Sequence, residues 1–280
     1  MMMATQELTA LRSEDIKPKI GARVLNSKEE LLAGDLGGEI MDLLEHRGVL
    51  VFPEINFNDE EHVAFTNTLG KFAREMRGEE IYKVSLDEKQ NATAEYLKGA
   101  FFWHFDGFMS PMPIRASLLS AKVLSPPGTG RTEFANTYAA YEALSDEDKA
   151  LVADLRAVHA LAATQLDVTP EPTYEQWQEW RAVGRKELPL VWTHKSGRKS
   201  LVIGNSAHNI LDYDPLDGEE LLIRLRSFAT GPEFTYSHDW KVGDLVMWDN
   251  TGSLHRATYY PLDCGRMMHR TKIEGDEPIV

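Results

Sequence analysis

Three residues in this chain have the types and spacing to hold one divalent metal ion. His104 and Asp106 stand two positions apart in Trp103-His104-Phe105-Asp106, and His255 follows 149 residues after the carboxylate, in the stretch from Trp248-Asp249-Asn250 to His255-Arg256. On an extended strand, residues i and i+2 face the same side, so His104 and Asp106 can reach one ion. With His255 arriving from across the fold, two imidazoles and one carboxylate occupy one side of the metal and leave the other side open. That donor set suits a non-haem Fe(II) oxygenase. His-x-Asp alone is a weak signal, because a strand histidine bonded to a nearby carboxylate gives the same tripeptide. A zinc hydrolase is the competing metal chemistry, but it ordinarily shows H-x-H or H-E-x-x-H, and neither occurs here. The other histidines (His46, His62, His159, His194, His208, His238 and His269) lack such a partner pattern and default to surface or satisfied polar positions.

The elements that must position these residues read as mainly β with added helices. Residues 20–25 form a short apolar strand closed by Asn26-Ser27. Leu36, Ile40, Leu43 and Leu44 recur at helical spacing before Gly48, which sits where a C-cap glycine is wanted. Residues 49–52 read as a buried strand. Asn58, with Glu61 three positions on, makes a capping box for a helix that carries Phe65 and Leu69 and stops at Gly70. Residues 114–124 and 131–135 predict strands around a Pro/Gly turn, and Asn136 and Ser145 predict the N-caps of helices through Tyr141 and Leu151. Residues 191–194 and 201–203 flank a Ser196-Gly197 turn as a hairpin. Leu221, Leu222, Leu225 and Phe228 mark one more helix, with Asp217 as its cap. The strongest β signal comes last, with strands expected at 234–237, 245–248 and 255–260. Many short strands with turn signals predict a sandwich or barrel. Two stretches break the pattern. Residues 73–100, charged and aperiodic, read as a lid or substrate loop or as a solvated connector. Residues 165–188, with Pro170, Pro172, Trp177 and Trp180, read as an insertion.

Composition narrows the function classes. At 42% apolar and 26% charged the chain is that of a globular protein, long enough for a substantial core in one domain spanning residues 1–280. A formal charge of −14 without clustered Lys and Arg argues against nucleic acid as a partner. The single cysteine, Cys264, rules out an intramolecular disulfide and a multi-cysteine zinc site. The N-terminal stretch has no apolar signal core, and no apolar run approaches the roughly 20 residues that span a bilayer, so no membrane partner and a cytoplasmic location are expected.

The C-terminal block, residues 248–257 followed by Arg266-Met267-Met268-His269-Arg270, resembles the Fe(II)/2-oxoglutarate dioxygenases of the taurine dioxygenase and 2,4-dichlorophenoxyacetate dioxygenase family. The resemblance continues through Glu45-His46-Arg47-Gly48-Val49-Leu50-Val51-Phe52, Glu60-Glu61-His62-Val63-Ala64-Phe65, Arg131-Thr132-Glu133-Phe134 and Tyr138-Ala139-Ala140-Tyr141-Glu142-Ala143-Leu144, in order and with fitting spacing. It implies a double-stranded β-helix, or jelly roll, with His104, Asp106 and His255 as iron ligands. By the same resemblance Thr132 would bind a 2-oxoglutarate carboxylate, Arg266 would pair with its far carboxylate, and Arg270 would lie nearer the substrate's anionic group. A planar guanidinium suits a carboxylate, which it binds bidentately. Related halogenating enzymes have a small residue in place of the carboxylate; Asp106 therefore points to hydroxylation. Fe(II), 2-oxoglutarate and O2 would be the cofactor and co-substrates, with succinate and CO2 as products.

Arg270 suggests an anionic compound, and in Leu118-Leu119-Ser120-Ala121 and Thr132-Glu133-Phe134-Ala135 the chain looks closer to the aryloxyacetate-degrading branch than to the taurine branch. The expected substrate is a small anionic organic compound, an aryloxyalkanoate-like carboxylate first. Taurine or another alkylsulfonate, or an N-substituted amino acid, stands as the alternative, because residues 73–100 depart from the family pattern. Phe101, Phe102, Trp103, Phe105, Phe108 and Met109 could line the pocket, with at least half of them core instead. From a different class, a non-catalytic jelly-roll sensor of a small anion or metal would keep the fold without consuming 2-oxoglutarate. A homo-oligomer is open, since relatives are often dimers or tetramers.

Overall fold

Side-chain alternation along one strand sets the layering of the whole molecule. In Leu245–Asp249, Leu245 and Met247 enter one apolar cluster while Val246 and Trp248 enter another, as a two-residue period requires. The structure, a computed structural model, describes residues 10–75, 78–89, 91 and 94–280. Leu245–Asp249 is the central strand of a seven-stranded sheet. It pairs antiparallel with Val49–Phe52 on one flank and with Ala116–Val123 on the other. Ala22–Val24 and Ser13–Asp15 extend the first flank, and Met267–Ile273 and Tyr82–Val84 extend the second.

The outer face of this sheet, with Leu50, Phe52, Leu118, Leu245 and Met247, is covered by the helices Lys28–Ala33, Gly37–Arg47 and Asp59–Leu69 through Leu31, Ile40, Leu44 and Phe65. Its inner face, with Val49, Val51, Leu119, Val246, Trp248 and Met268, packs on Phe134 and Tyr236 of a three-stranded sheet. That smaller sheet runs Thr235–His238, Thr132–Asn136, Ser253–Ala257, all antiparallel. Rings of Phe134 and Trp248 lie 5.6 Å apart and join the two sheets. A third layer covers the far side of the smaller sheet. Ala135 and Leu254 meet the helix Pro215–Ala229, the hairpin Val191–Thr193 with Lys199–Leu201, and the sheet of Ala207–Ile210, Arg156–Ala160 and Arg185–Pro189. Two facing sheets with helical additions make the jelly roll expected from the sequence.

Local signals held where a few neighbouring residues decide the geometry. The Asn58/Glu61 capping box forms, Asn136 and Ser145 accept from the amides of Ala139 (3.1 Å) and Asp148 (3.0 Å), and Gly48 ends its helix at φ +72°. Other expectations need correction. Ser27 starts a helix with a capping box of its own rather than only closing a strand. Asp214, not Asp217, caps the Pro215 helix, because its carboxylate accepts the amides of Leu216 and Asp217 and Pro215 fits the first helical turn. The strand through His255 is Ser253–Ala257, earlier than residues 255–260, because it must match the register of Thr132–Asn136. Residues 73–100 include the strand Tyr82–Val84 and the helical turn Ala94–Leu97; residues 76, 77, 90, 92 and 93 of that stretch, and 1–9 of the N-terminus, lie outside the described residues. Residues 165–188 run from the end of the helix Leu161–Val168 through the helix Tyr174–Ala182 to the strand Arg185–Pro189, which no alternation announced. Among the described residues no helix is long and apolar enough to cross a membrane.

Asn250-Thr251-Gly252 carries the chain from the large sheet to the small one, and Gly252 packs against the buried ring of Tyr138. A Cβ on Gly252 would fall 1.6 Å from Tyr138 Cε2. Gly252→Ala should therefore destabilise the protein by about 1–3 kcal/mol, read as a lower denaturant midpoint with an unchanged slope.

Candidate active site

The metal motif is not on a sheet strand. His104 forms an isolated bridge with His255: the His104 amide donates to the His255 carbonyl at 3.1 Å, and the His104 carbonyl accepts from the His255 amide at 2.8 Å. Asp106 lies at the start of a turn through residues 106–109. The expectation that an extended strand aims both side chains is corrected: the backbone turns at Gly107, where φ is +81° and a side chain would be strained. What holds Asp106 is Asn250. Asn250 Oδ1 accepts the Asp106 amide at 2.8 Å, and Nδ2 donates to the carbonyls of Asp106 at 2.8 Å and Ile114 at 3.0 Å.

The result brings together one candidate ligand atom from each of His104, Asp106 and His255, all within 4.8 Å of one another. The two imidazole centroids are 4.1 Å apart, and His104 Nε2 is 3.9 Å from Asp106 Oδ1. His104 Nδ1 donates to the Phe102 carbonyl at 2.8 Å, which fixes the tautomer and leaves the Nε2 lone pair for a cation. Neither ring nitrogen of His255 has a hydrogen-bond partner among the described residues, and Nδ1 is buried. Burial first, then the neighbouring His104, hold the His255 pKa well below that of free imidazole, so the ring is neutral. Burial works to raise the Asp106 carboxyl, but Arg270, the two imidazoles and Lys272 together bring it down to about 2. A carboxylate beside two imidazoles with available lone pairs is a fit for a divalent transition metal.

Two arginines flank the triad in opposite states. Arg270 donates from Nη1 to Asp106 Oδ2 at 3.1 Å, lies 3.5 Å from Glu75 Oε1 through Nη2, and has the Tyr82 ring 5.1 Å from its guanidinium carbon. Arg266, just before the strand Met267–Ile273, is 5% exposed and has no acidic partner among the described residues. Its neighbours are the Tyr260 ring, 4.7 Å away, and the Gly130 carbonyl, 3.5 Å away. A buried cation without an acidic partner is costly, and a guanidinium in that state can accept an anion. Thr132 sits two residues from Gly130. Its strand neighbour Phe134 pairs with His255, so Thr132 lies on the same inner face about 7 Å along. Thr132 Oγ1 accepts from Trp240 Nε1 at 3.0 Å, which leaves the hydroxyl proton to donate.

Sequence reasoning quoted Asn250 without giving it a role, and missed Trp240, Tyr260 and Glu75 altogether. None of these carries a local signal, since each acts on a residue far along the chain. Of the aromatic residues around the motif, Phe105 is core and Trp103 and Phe108 pack on the same outer cluster. Asn250→Ala removes three hydrogen bonds around Asp106. It should lower stability by about 2–3 kcal/mol and weaken Mn(II) binding roughly 10–100-fold, the latter read by calorimetry on folded protein.

Comparisons with known proteins show the family and the fold. The family model for the taurine catabolism dioxygenase TauD, TfdA family matches residues 12–272. The chain is 34% identical over 238 residues to an (S)-phenoxypropionate/alpha-ketoglutarate-dioxygenase of Sphingobium herbicidovorans, covering 81% of this chain and 82% of the relative. It is 34% identical over 288 residues to an alpha-ketoglutarate-dependent 2,4-dichlorophenoxyacetate dioxygenase of a Burkholderia species, covering 95% of each. Among solved structures it is similar to AAD-2 in complex with Mn(II) and N-oxalylglycine, with a TM-score of 0.82, 33% identity, and coverage of 97% of this chain and 100% of that one. The chain belongs to the TauD/TfdA dioxygenase family.

Proposed function

We propose that the protein is an Fe(II)- and 2-oxoglutarate-dependent dioxygenase that hydroxylates a small aryloxyalkanoate-like carboxylate and releases succinate and CO2. The observation that carries this reading is the buried Arg266, a guanidinium with no acidic partner among the described residues, in the same sandwich as a triad able to hold a metal. A non-catalytic metal sensor has no need of a second, anion-seeking cation there. The names of the relatives, dioxygenases of phenoxypropionate and dichlorophenoxyacetate, support the substrate class, as does the Tyr82 ring stacked on Arg270.

In this reading His104, Asp106 and His255 hold the metal. Arg266 receives the far carboxylate of 2-oxoglutarate through its fork of donors, and the Thr132 hydroxyl adds a hydrogen bond. Bound Fe(II) supplies dioxygen activation coupled to oxidative decarboxylation of 2-oxoglutarate, which provides the oxidising power to place an oxygen atom on a substrate C–H carbon. Arg270 anchors the substrate carboxylate and so holds the adjacent carbon toward the triad, where orientation rather than proton transfer is the protein's contribution. Hydroxylation of the carbon beside an ether oxygen gives a hemiacetal, which breaks into a phenol and a carbonyl acid.

Succinate formation under air with Fe(II), 2-oxoglutarate and a panel of aryloxyalkanoates, sulfonates and N-substituted amino acids tests the class. It should rise with an aryloxyalkanoate and fall to background without oxygen and in Asp106→Ala. A rise with no member of the panel, in protein that binds both ligands, would sink the substrate assignment. The arginines should separate kinetically: Arg266→Met raises KM for 2-oxoglutarate by roughly 10–100-fold, whereas Arg270→Met raises KM for the aryl acid and leaves that for 2-oxoglutarate nearly unchanged.

A further inference from the structure

Residues 71–75 run along the edge of the strand Met267–Ile273. Phe72 bridges Ile273, the Ala73 amide donates to the Lys272 carbonyl at 2.9 Å, and the Glu274 amide donates to the Lys71 carbonyl at 2.8 Å. The backbone of Glu75 is fixed in turn, donating to Glu79 O at 3.0 Å and accepting from the Gly78 amide at 2.8 Å. This brings the Glu75 carboxylate between two cations of the site. Oε1 lies 3.5 Å from Arg270 Nη2, and Oε2 lies 2.9 Å from Lys272 Nζ. All three side chains are largely buried, at 13% exposure for Glu75, 20% for Arg270 and 15% for Lys272. Arg270 Nε is buried with no partner among the described residues, so the guanidinium keeps an unused donor.

We propose that Glu75 sets the charge preference of the seat for the substrate's anion: with Arg270 and Lys272 it leaves one net positive charge, which selects monoanions over dianions. This rests on the reading of Arg270 as the substrate's anion ligand. With a metal on the triad, the Asp106 carboxylate is committed to the ion, and the charges that remain in this cluster among the described residues are two cations and one anion. Glu75 holds Lys272 at the shorter distance, so an incoming carboxylate displaces its weaker contact with Arg270 and balances the seat. A doubly charged group brings a second negative charge against Glu75 in a largely buried space, where like charges repel strongly.

The test is calorimetric binding to protein loaded with Mn(II) and N-oxalylglycine, a combination that cannot turn over. The probes are phenoxyacetate and phenoxymethylphosphonate at about pH 8.5, where the second is a dianion. Wild-type protein should prefer phenoxyacetate. Glu75→Gln, close in shape and lacking the charge, should improve phosphonate binding relative to phenoxyacetate at least about tenfold. Glu75→Asp, which keeps the charge, should retain the wild-type preference. An unchanged ratio in a folded Glu75→Gln protein that binds phenoxyacetate overturns the role of Glu75 and leaves the aryloxyalkanoate reading standing. Wild-type protein that takes up Mn(II) and N-oxalylglycine but neither probe overturns both.

Discussion

His104 and His255 exchange backbone hydrogen bonds of 3.1 and 2.8 Å, and the rest of the site depends on that pairing. It ties an irregular segment to the edge of the smaller sheet, so two imidazoles from distant parts of the chain share one position. A metal site needs its donors fixed to within fractions of an ångström, and backbone pairing is stiffer than any side-chain contact. Asn250 does the same for the carboxylate, binding the Asp106 peptide at both its N–H and its carbonyl. Asn250 itself begins the crossing from the large sheet to the small one, so the same three-residue connection closes the sandwich and aims the third ligand.

The sandwich provides the dielectric setting for that chemistry. Its inner cluster, from Val49 and Val246 to Phe134 and Trp248, excludes water around the buried His255 and keeps the ring neutral. The same exclusion makes every nearby charge expensive unless it is matched. Asp106 is matched by Arg270, and the carboxyl is held down to about 2 despite its burial. Arg266 is matched by no acidic side chain among the described residues, only by the face of Tyr260 and a carbonyl. Among the described residues one cation is thus engaged by carboxylates and the other is not, the asymmetry on which the proposed division of labour between two carboxylates rests.

The outer layers matter less for chemistry than for rigidity. Three helices press on the large sheet through Leu31, Ile40, Leu44 and Phe65, and the Pro215 helix and its neighbours close the small one. Behind the strand that carries Arg270, Thr271 meets His62 at 3.0 Å and Thr66 at 2.7 Å in a buried polar cluster. Burial brings the His62 pKa down to about 3, so it serves as a neutral hydrogen-bonding group. Polar contacts of this kind, satisfied within an apolar surround, fix the strand against the helix Asp59–Leu69.

By itself the sequence determined the family, the facing-sheet architecture, the residue types of the candidate donors and the helix starts at Asn58, Asn136 and Ser145. Those follow from residue type and from contacts spanning three or four positions, as with Asn58 and Glu61 or Asn136 and Ala139, which neighbouring residues encode directly. Tertiary structure alone decided that His104 stands in a bridge rather than a strand, that Asn250 grips Asp106 across 144 positions, and that Glu75 reaches Arg270 across 195. It also decided that, among the described residues, Arg266 has no acidic partner while Arg270 has two. Such contacts depend on sheet register and on the path of a turn, and a one-residue slip in either would send the side chain to the opposite face. No local pattern records which register the packed sheets adopt, because that choice is made by the burial of both faces together.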